Sequence, residues 1–185
     1  MASKHKKTQN DFETGLLGFT KVHFGLIALL TAQTILYDAS MLITPDVVLD
    51  RWFVIAVLLL VNGFIYYFVK SRSGGLLFYK TLLFAMIIAD FALASYSVYT
   101  QRGFAANAVF LFVIPIIISG LMLSRAALYG TSILAIAIYS LTAVAYFVQN
   151  FNEGYKVELY GEVGFYSTLF LLVAWLMSTV LHPKR

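Results

Sequence analysis

The segment LLFAMIIADFALASYSVY, residues 82–99, indicates the class of fold that this sequence adopts. One charged residue, Asp90, interrupts an otherwise apolar or small run of 18 residues. A run of about 18 or more such residues is typical of a helix that crosses the hydrocarbon core of a bilayer, which is about 30 Å thick. The segment therefore predicts a transmembrane helix with an acid near its centre.

The composition of the whole chain agrees with a membrane protein. Of its 185 residues, 61% are hydrophobic and only 12% are charged, and the mean hydropathy is +0.83. The net charge of +4 comes from basic residues beside the apolar runs, where anionic lipids and the positive-inside rule explain them. We therefore expect the lipid bilayer as a partner and no nucleic acid. The sequence has no cysteine, which excludes disulfides and thiolate metal sites.

Apolar runs of near-membrane length occur six times, separated mostly by short polar breaks. Short breaks join helices that are antiparallel neighbours. The sequence thus predicts an all-α polytopic membrane protein, with six transmembrane helices in an up-and-down bundle. The predicted spans are 16–37, 52–69, 76–99, 104–123, 126–148 and 163–181.

The distribution of lysine and arginine predicts the orientation. With the N-terminus in the cytoplasm, 10 of the 13 basic residues lie on the inner side, and only Arg51, Arg102 and Lys156 lie outside. Positive charge is enriched in cytoplasmic loops, so both termini are expected to be cytoplasmic. We divide the chain into a basic cytoplasmic segment, 1–15, a transmembrane domain, 16–181, and a cytoplasmic end, 182–185, that could link to an output module.

Asp90 is the deepest ionisable residue in the predicted bundle. It lies about 14 residues into the third span, close to the bilayer midplane, where a charge costs at least about 2.5 kcal/mol. Small residues beside it indicate that this face points into the bundle. Neighbours of matching depth are Asn62, Gln33 and Tyr139, to which a protonated Asp90 could donate. The residue could fix helix packing, act as a proton- or ligand-responsive switch, or take part in transport.

Two further polar or special residues lie in the spans. His23, near the inner end of the first span, is expected to be a packing or interface residue. No second histidine or acid lies at ligand spacing from it, so no metal site is predicted. Pro115 removes a backbone hydrogen bond in the fourth span and predicts a kink. No phosphate-binding loop, GxSxG or HExxH motif is present, and no catalytic residue is predicted.

Residues 82–141 combine three features: an acid in the third predicted helix, an outer turn that contains glycine, and a fourth predicted helix with a central proline. This pattern resembles the six-helix membrane sensor region of PilS-like and RegB-like bacterial sensor histidine kinases. The positions that carry the resemblance are Asp90, Tyr99, Gly103, Pro115, Ser119 with Gly120, and Ser124 with Arg125.

The resemblance implies a sensory input domain in a bacterial cytoplasmic membrane, forming a homodimer and acting on a kinase module in cis or in trans. RegB-like members bear an outer GGxxNPF motif linked to quinone sensing. This sequence keeps Gly103 and Asn107 but lacks the second glycine, the proline and the phenylalanine, so no cofactor is expected. No dimerisation histidine or ATP-binding motif follows Leu181, and this chain by itself is not expected to be an enzyme.

Two other functions fit the same architecture. A substrate-binding subunit of a vitamin or metal uptake transporter has about six spans, and Gln33, Tyr99 and Asn107 could line its outward-facing pocket. The small-residue pair Ala28 and Ala32 resembles the contact motif of such subunits. A structural subunit of a larger membrane complex would need no site at all.

Overall fold

The computed structural model describes residues 2–41, 44–100, 108–150 and 156–181, with side chains from residue 9 onward and, in the last range, from 157. Within these ranges the regular structure is entirely helical, which confirms the predicted all-helical fold. The helices are α1 (Ala2–Ala39), α2 (Pro45–Lys70), α3 (Leu76–Thr100), α4 (Phe110–Met122), α5 (Arg125–Asn150) and α6 (Lys156–Leu181).

In the described part of the chain, five helices are long and apolar enough to cross a membrane. They comprise α1 from Gln9, α2, α3, α5 and, from Val157, α6. Their outward faces carry large apolar side chains such as Phe53, Leu60 and Val148, whose exposed fractions are 71%, 74% and 77%. Lipid tails are the environment that such faces require, so the chain is a helical membrane protein.

The fourth helix is shorter than predicted. The apolar pattern predicted a span at 104–123, but α4 contains 13 residues, about 20 Å of helix, against about 30 Å of hydrocarbon. Residues 104–107 lie outside the described residues, and 108–109 form a turn. Leu123 leaves helical geometry at φ −113° and ψ −127°. The Oγ of Ser124 then accepts a hydrogen bond from the N–H of Ala127 at 3.2 Å, which caps the start of α5.

Three other helices begin earlier than the apolar pattern predicted. The basic segment 1–15 is helical from Ala2 and continues directly into the first apolar run. Helix α2 begins at Pro45, whose fixed φ suits the first position of a helix, and Asp46 follows in the first turn. Helix α6 begins at Lys156 instead of 163. The apolar runs therefore predict the central segment of each helix, and they do not predict where the helix begins.

The chain forms two compact units, Met1–Ala89 and Asp90–Arg185. In the first unit α1 packs against α2, and in the second α4, α5 and α6 pack against one another. The boundary between the units falls inside α3, so the beginning of that helix belongs to the first unit and its end to the second.

Aromatic rings form the core of the second unit. Phe112 of α4, Tyr139 of α5 and Phe170 of α6 are all fully buried. Their ring centroids lie 5.7 to 6.1 Å apart, a distance at which aromatic pairs attract beyond the burial of their area. Phe91 of α3 adds a fourth ring, 6.0 Å from Phe112. This cluster joins one side chain from each helix of the unit.

Candidate functional site

Asp90 is the first residue of the second unit and only 5% of its side chain is exposed. It is therefore buried, as the small residues near it indicated. The Tyr139 hydroxyl, one of the three candidate partners of Asp90, makes no hydrogen bond among the described residues. Gln33 is exposed, and its Nε2 donates to Tyr37 Oη on the same helix at 3.1 Å.

Asn62 makes a buried hydrogen bond between the first two helices. It is 3% exposed, and its Nδ2 donates to the carbonyl oxygen of Thr20 at 3.0 Å. The Thr20 hydroxyl in turn donates to Leu17 O at 2.9 Å within its own helix. His23, which is 6% exposed, follows Thr20 by three residues and so lies on the same face of α1. The structure thus places Thr20 and Asn62 together in the first unit.

Two further sequence-predicted residues are Pro115 and Asn107, and the sequence predicted no metal site. Pro115 is buried inside α4. Asn107 lies outside the described residues. No group of three or more histidine, cysteine, aspartate or glutamate side chains that could hold a metal occurs in the part of the chain that the structure describes. The predicted site residues that the structure describes therefore belong to several helices, with Gln33, His23 and Asn62 in the first unit and Asp90 and Pro115 in the second.

A second polar group, which the sequence reasoning missed, surrounds Glu13; we call Gln9, Glu13, Arg72, Gly74 and Tyr79 the Glu13 cluster. Glu13 is 6% exposed and Tyr79 is fully buried. Gln9 Nε2 donates to Glu13 Oε1 at 3.0 Å and to Gly74 O at 3.2 Å. The N–H of Gly74 donates to Tyr79 Oη at 3.3 Å, and the Tyr79 phenol interacts electrostatically with the Glu13 carboxylate. These bonds fasten the beginning of α1 to the α2–α3 turn and to α3.

The charge pair in the Glu13 cluster contributes less than its hydrogen bonds. Arg72 Nε lies 3.8 Å from Glu13 Oε2, but the arginine side chain is 78% exposed. An ion pair with one partner in water is worth at most about 1 kcal/mol. Glu13, Leu16 and Thr20 are all buried and form one face of α1. Their spacing of three and four residues could have indicated this face from the sequence, since residues at that spacing share one side of a helix. The charge pattern of the sequence predicts only a basic cytoplasmic segment at 1–15.

A third polar group lies between α5 and α6, and we call Tyr139, Glu162 and Tyr166 the Glu162 site. The Tyr139 and Tyr166 rings are 5.5 Å apart, and the Glu162 carboxylate interacts electrostatically with both phenols. The Tyr139 hydroxyl and Glu162 Oε2 are buried atoms without a hydrogen-bond partner among the described residues. The sequence prediction had left Glu162 in the outer loop, because the apolar run began only at 163.

Neither a protein-family model nor a curated protein matches this chain, and no solved structure matches it. The fold and the residues therefore define its class directly: an all-helical membrane protein with buried polar groups between its packed helices.

Proposed function

We propose that this chain is the membrane-embedded input domain of a two-component sensor histidine kinase. In this proposal the helices form an up-and-down bundle in a bacterial cytoplasmic membrane, with both termini in the cytoplasm and two copies forming a homodimer. A membrane or envelope signal alters helix packing, and α6 transmits the change to a cytoplasmic kinase module. The resemblance of residues 82–141 to PilS-like and RegB-like sensor regions supports this proposal.

The observation that carries the proposal is the way α3 is held at its two ends. Near its beginning, Tyr79 Oη accepts a hydrogen bond from the N–H of Gly74, whose carbonyl oxygen accepts one from Gln9 of α1 within the first unit. Near its end, Tyr99 Oη donates to Gln149 Oε1 of α5 at 2.5 Å, and the Tyr99 ring lies 5.3 Å from that of Tyr146. Each end of α3 is thus held by neighbours within its own unit, and a displacement of those neighbours would act on this helix.

Asp90 occupies the position where such a helix would be most sensitive. It lies in the middle of α3, at the boundary between the two units. An ionisable group buried in a membrane helix is costly, so its surroundings strongly favour particular packing arrangements. In this proposal the helices have two packing arrangements. A signal that stabilises one of them relative to the other increases the population of the stabilised arrangement.

The substitution Asp90→Asn tests the proposal in a fusion of this chain to the dimerisation and ATP-binding modules of a histidine kinase. We expect autophosphorylation in vesicles to change by about fivefold or more, as a coupling of about 1 kcal/mol produces. The melting temperature should stay nearly unchanged, because asparagine retains the size and hydrogen-bonding capacity of the acid. The measurement is radiolabelled phosphate incorporation per folded protein.

The control is Asp11→Asn, which removes an exposed acid from α1. This variant should phosphorylate like the unmodified fusion. If Asp90→Asn instead lowers the melting temperature and the phosphorylation only follows the amount of folded protein, Asp90 is a packing residue and the switching role fails.

Copurification of a tightly bound vitamin with an energising partner would favour the uptake subunit over the sensor.

A further inference from the structure

The Glu162 site contains two buried oxygen atoms on packed helices, Tyr139 Oη of α5 and Glu162 Oε2 of α6, which do not bond to each other. Tyr139 is fully buried and its Oη has no hydrogen-bond partner in the described ranges. Glu162 Oε2 is likewise buried and without such a partner there. The two groups nevertheless interact electrostatically. Buried polar groups are nearly always hydrogen-bonded, and a ligand with N–H donors would satisfy both oxygens.

The chemistry of the surrounding side chains restricts what that donor can be. Glu162 supplies one negative charge, and Tyr139 supplies a neutral oxygen. Two oxygens are too few for an alkali or alkaline-earth ion, which takes about six. The described residues also contain no metal-binding group of three or more ligands. A compact cation that carries its own N–H donors satisfies both oxygens.

The aromatic rings favour the same class of ligand. The Tyr166 ring lies 5.5 Å from that of Tyr139, which in turn lies 6.1 Å from Phe170. Ammonium groups are attracted to aromatic faces within about 6 Å of the ring centroid. Glu162, Tyr166 and Phe170 follow one another at intervals of four residues, so they share one face of α6.

We propose that Tyr139, Glu162 and Tyr166 form a binding site for a primary ammonium group. The Glu162 carboxylate and the Tyr139 hydroxyl accept its N–H donors, and the Tyr166 ring contributes its face. The same chemistry is offered by a small soluble amine and by the ethanolamine headgroup of a lipid. The site does not depend on the signalling role proposed above.

The test uses the full chain in nanodiscs of phosphatidylcholine, whose quaternary headgroup has no N–H donor. Methylammonium chloride should raise the melting temperature saturably at constant ionic strength, whereas tetramethylammonium and sodium chloride should not. Glu162→Gln should weaken the apparent affinity by at least about tenfold, and Tyr139→Phe by about threefold to tenfold. The control is Asp46→Asn, which removes an exposed acid from α2 and should respond like the unmodified chain.

A second set of nanodiscs distinguishes the source of the ammonium group. If phosphatidylethanolamine raises the melting temperature of the unmodified chain but not of Glu162→Gln, and free methylammonium has no effect, the ligand is a lipid headgroup. The opposite pattern identifies a soluble amine.

Binding to the unmodified chain is also measured by saturation-transfer NMR on the methyl protons of methylammonium, which requires no variant to fold. The proposal is overturned if neither source produces an effect in either measurement. It is equally overturned if Asp46→Asn loses the response as completely as Glu162→Gln.

Discussion

At the scale of single residues, polar side chains connect helices through backbone carbonyls. Asn62 Nδ2 donates to Thr20 O in the first unit, and Ser132 Oγ donates to Phe170 O at 3.0 Å in the second. A carbonyl that already accepts its intrahelical bond retains a second lone pair for such a donor. In both bonds the acceptor is a backbone carbonyl, which every residue has. The acceptor therefore cannot be predicted by searching the sequence for a second polar side chain.

The contribution of the Asn62 bond can be measured directly. We expect Asn62→Ala to lower the free energy of unfolding by about 1 kcal/mol, since hydrogen bonds between membrane helices have modest net strength. Steric-trap unfolding in micelles provides the measurement. Asn10→Ala is the control because Asn10 is exposed on α1. An equal loss in both variants would show that the bond to Thr20 does not stabilise the first unit.

At the scale of helices, one glycine allows α4 to approach its neighbours in the second unit. A Cβ atom added to Gly120 would lie 3.1 Å from Leu128 Cδ1 of α5 and 3.6 Å from Leu181 Cδ1 of α6. Small residues permit close approach of membrane helices, which associate largely by van der Waals packing. The three-helix contact therefore depends on the absence of a side chain at this position.

We expect Gly120→Val to destabilise the protein by about 1–3 kcal/mol, because the larger side chain must displace Leu128. The matched control is Gly130→Val in α5, where a Cβ atom would meet nothing within 4 Å. Valine has a similar intrinsic helix propensity at both positions, so the difference reports packing. Unfolding in mixed micelles, followed by circular dichroism, measures both variants. Equal destabilisation would mean that close packing at Gly120 is unimportant.

At the scale of the whole molecule, the orientation in the membrane is a prediction from charge. The sequence has no cysteine, so single substitutions provide unique labels. We expect Asp11→Cys and Ser73→Cys to react with a membrane-impermeant maleimide only from the cytoplasmic side. Asp46→Cys and Glu158→Cys should react only from the opposite side. All four positions are exposed, so burial will not hide them. Labelling of Asp11 and Asp46 variants from the same side would contradict the predicted topology.

The sequence by itself determined the helical membrane class, the number of helices and the approximate position of each. This was possible because the requirement for about 20 apolar residues in a spanning helix is local and can be counted along the chain. The inward position of Asp90 was also predictable, since the cost of exposing an acid to lipid applies in any bundle.

Only the tertiary structure decided where the helices end and which polar groups they bury. The start of α1 at Ala2 and the shortness of α4 depend on packing and capping, which hydropathy does not record. Glu13 and Glu162 lie near polar segments, so their sequence context resembles that of solvated acids. Glu13 and the Oε2 atom of Glu162 are nevertheless buried, and the side chains of Tyr79 and Tyr139 that interact with them come from other helices. Such contacts arise only when distant segments are brought together.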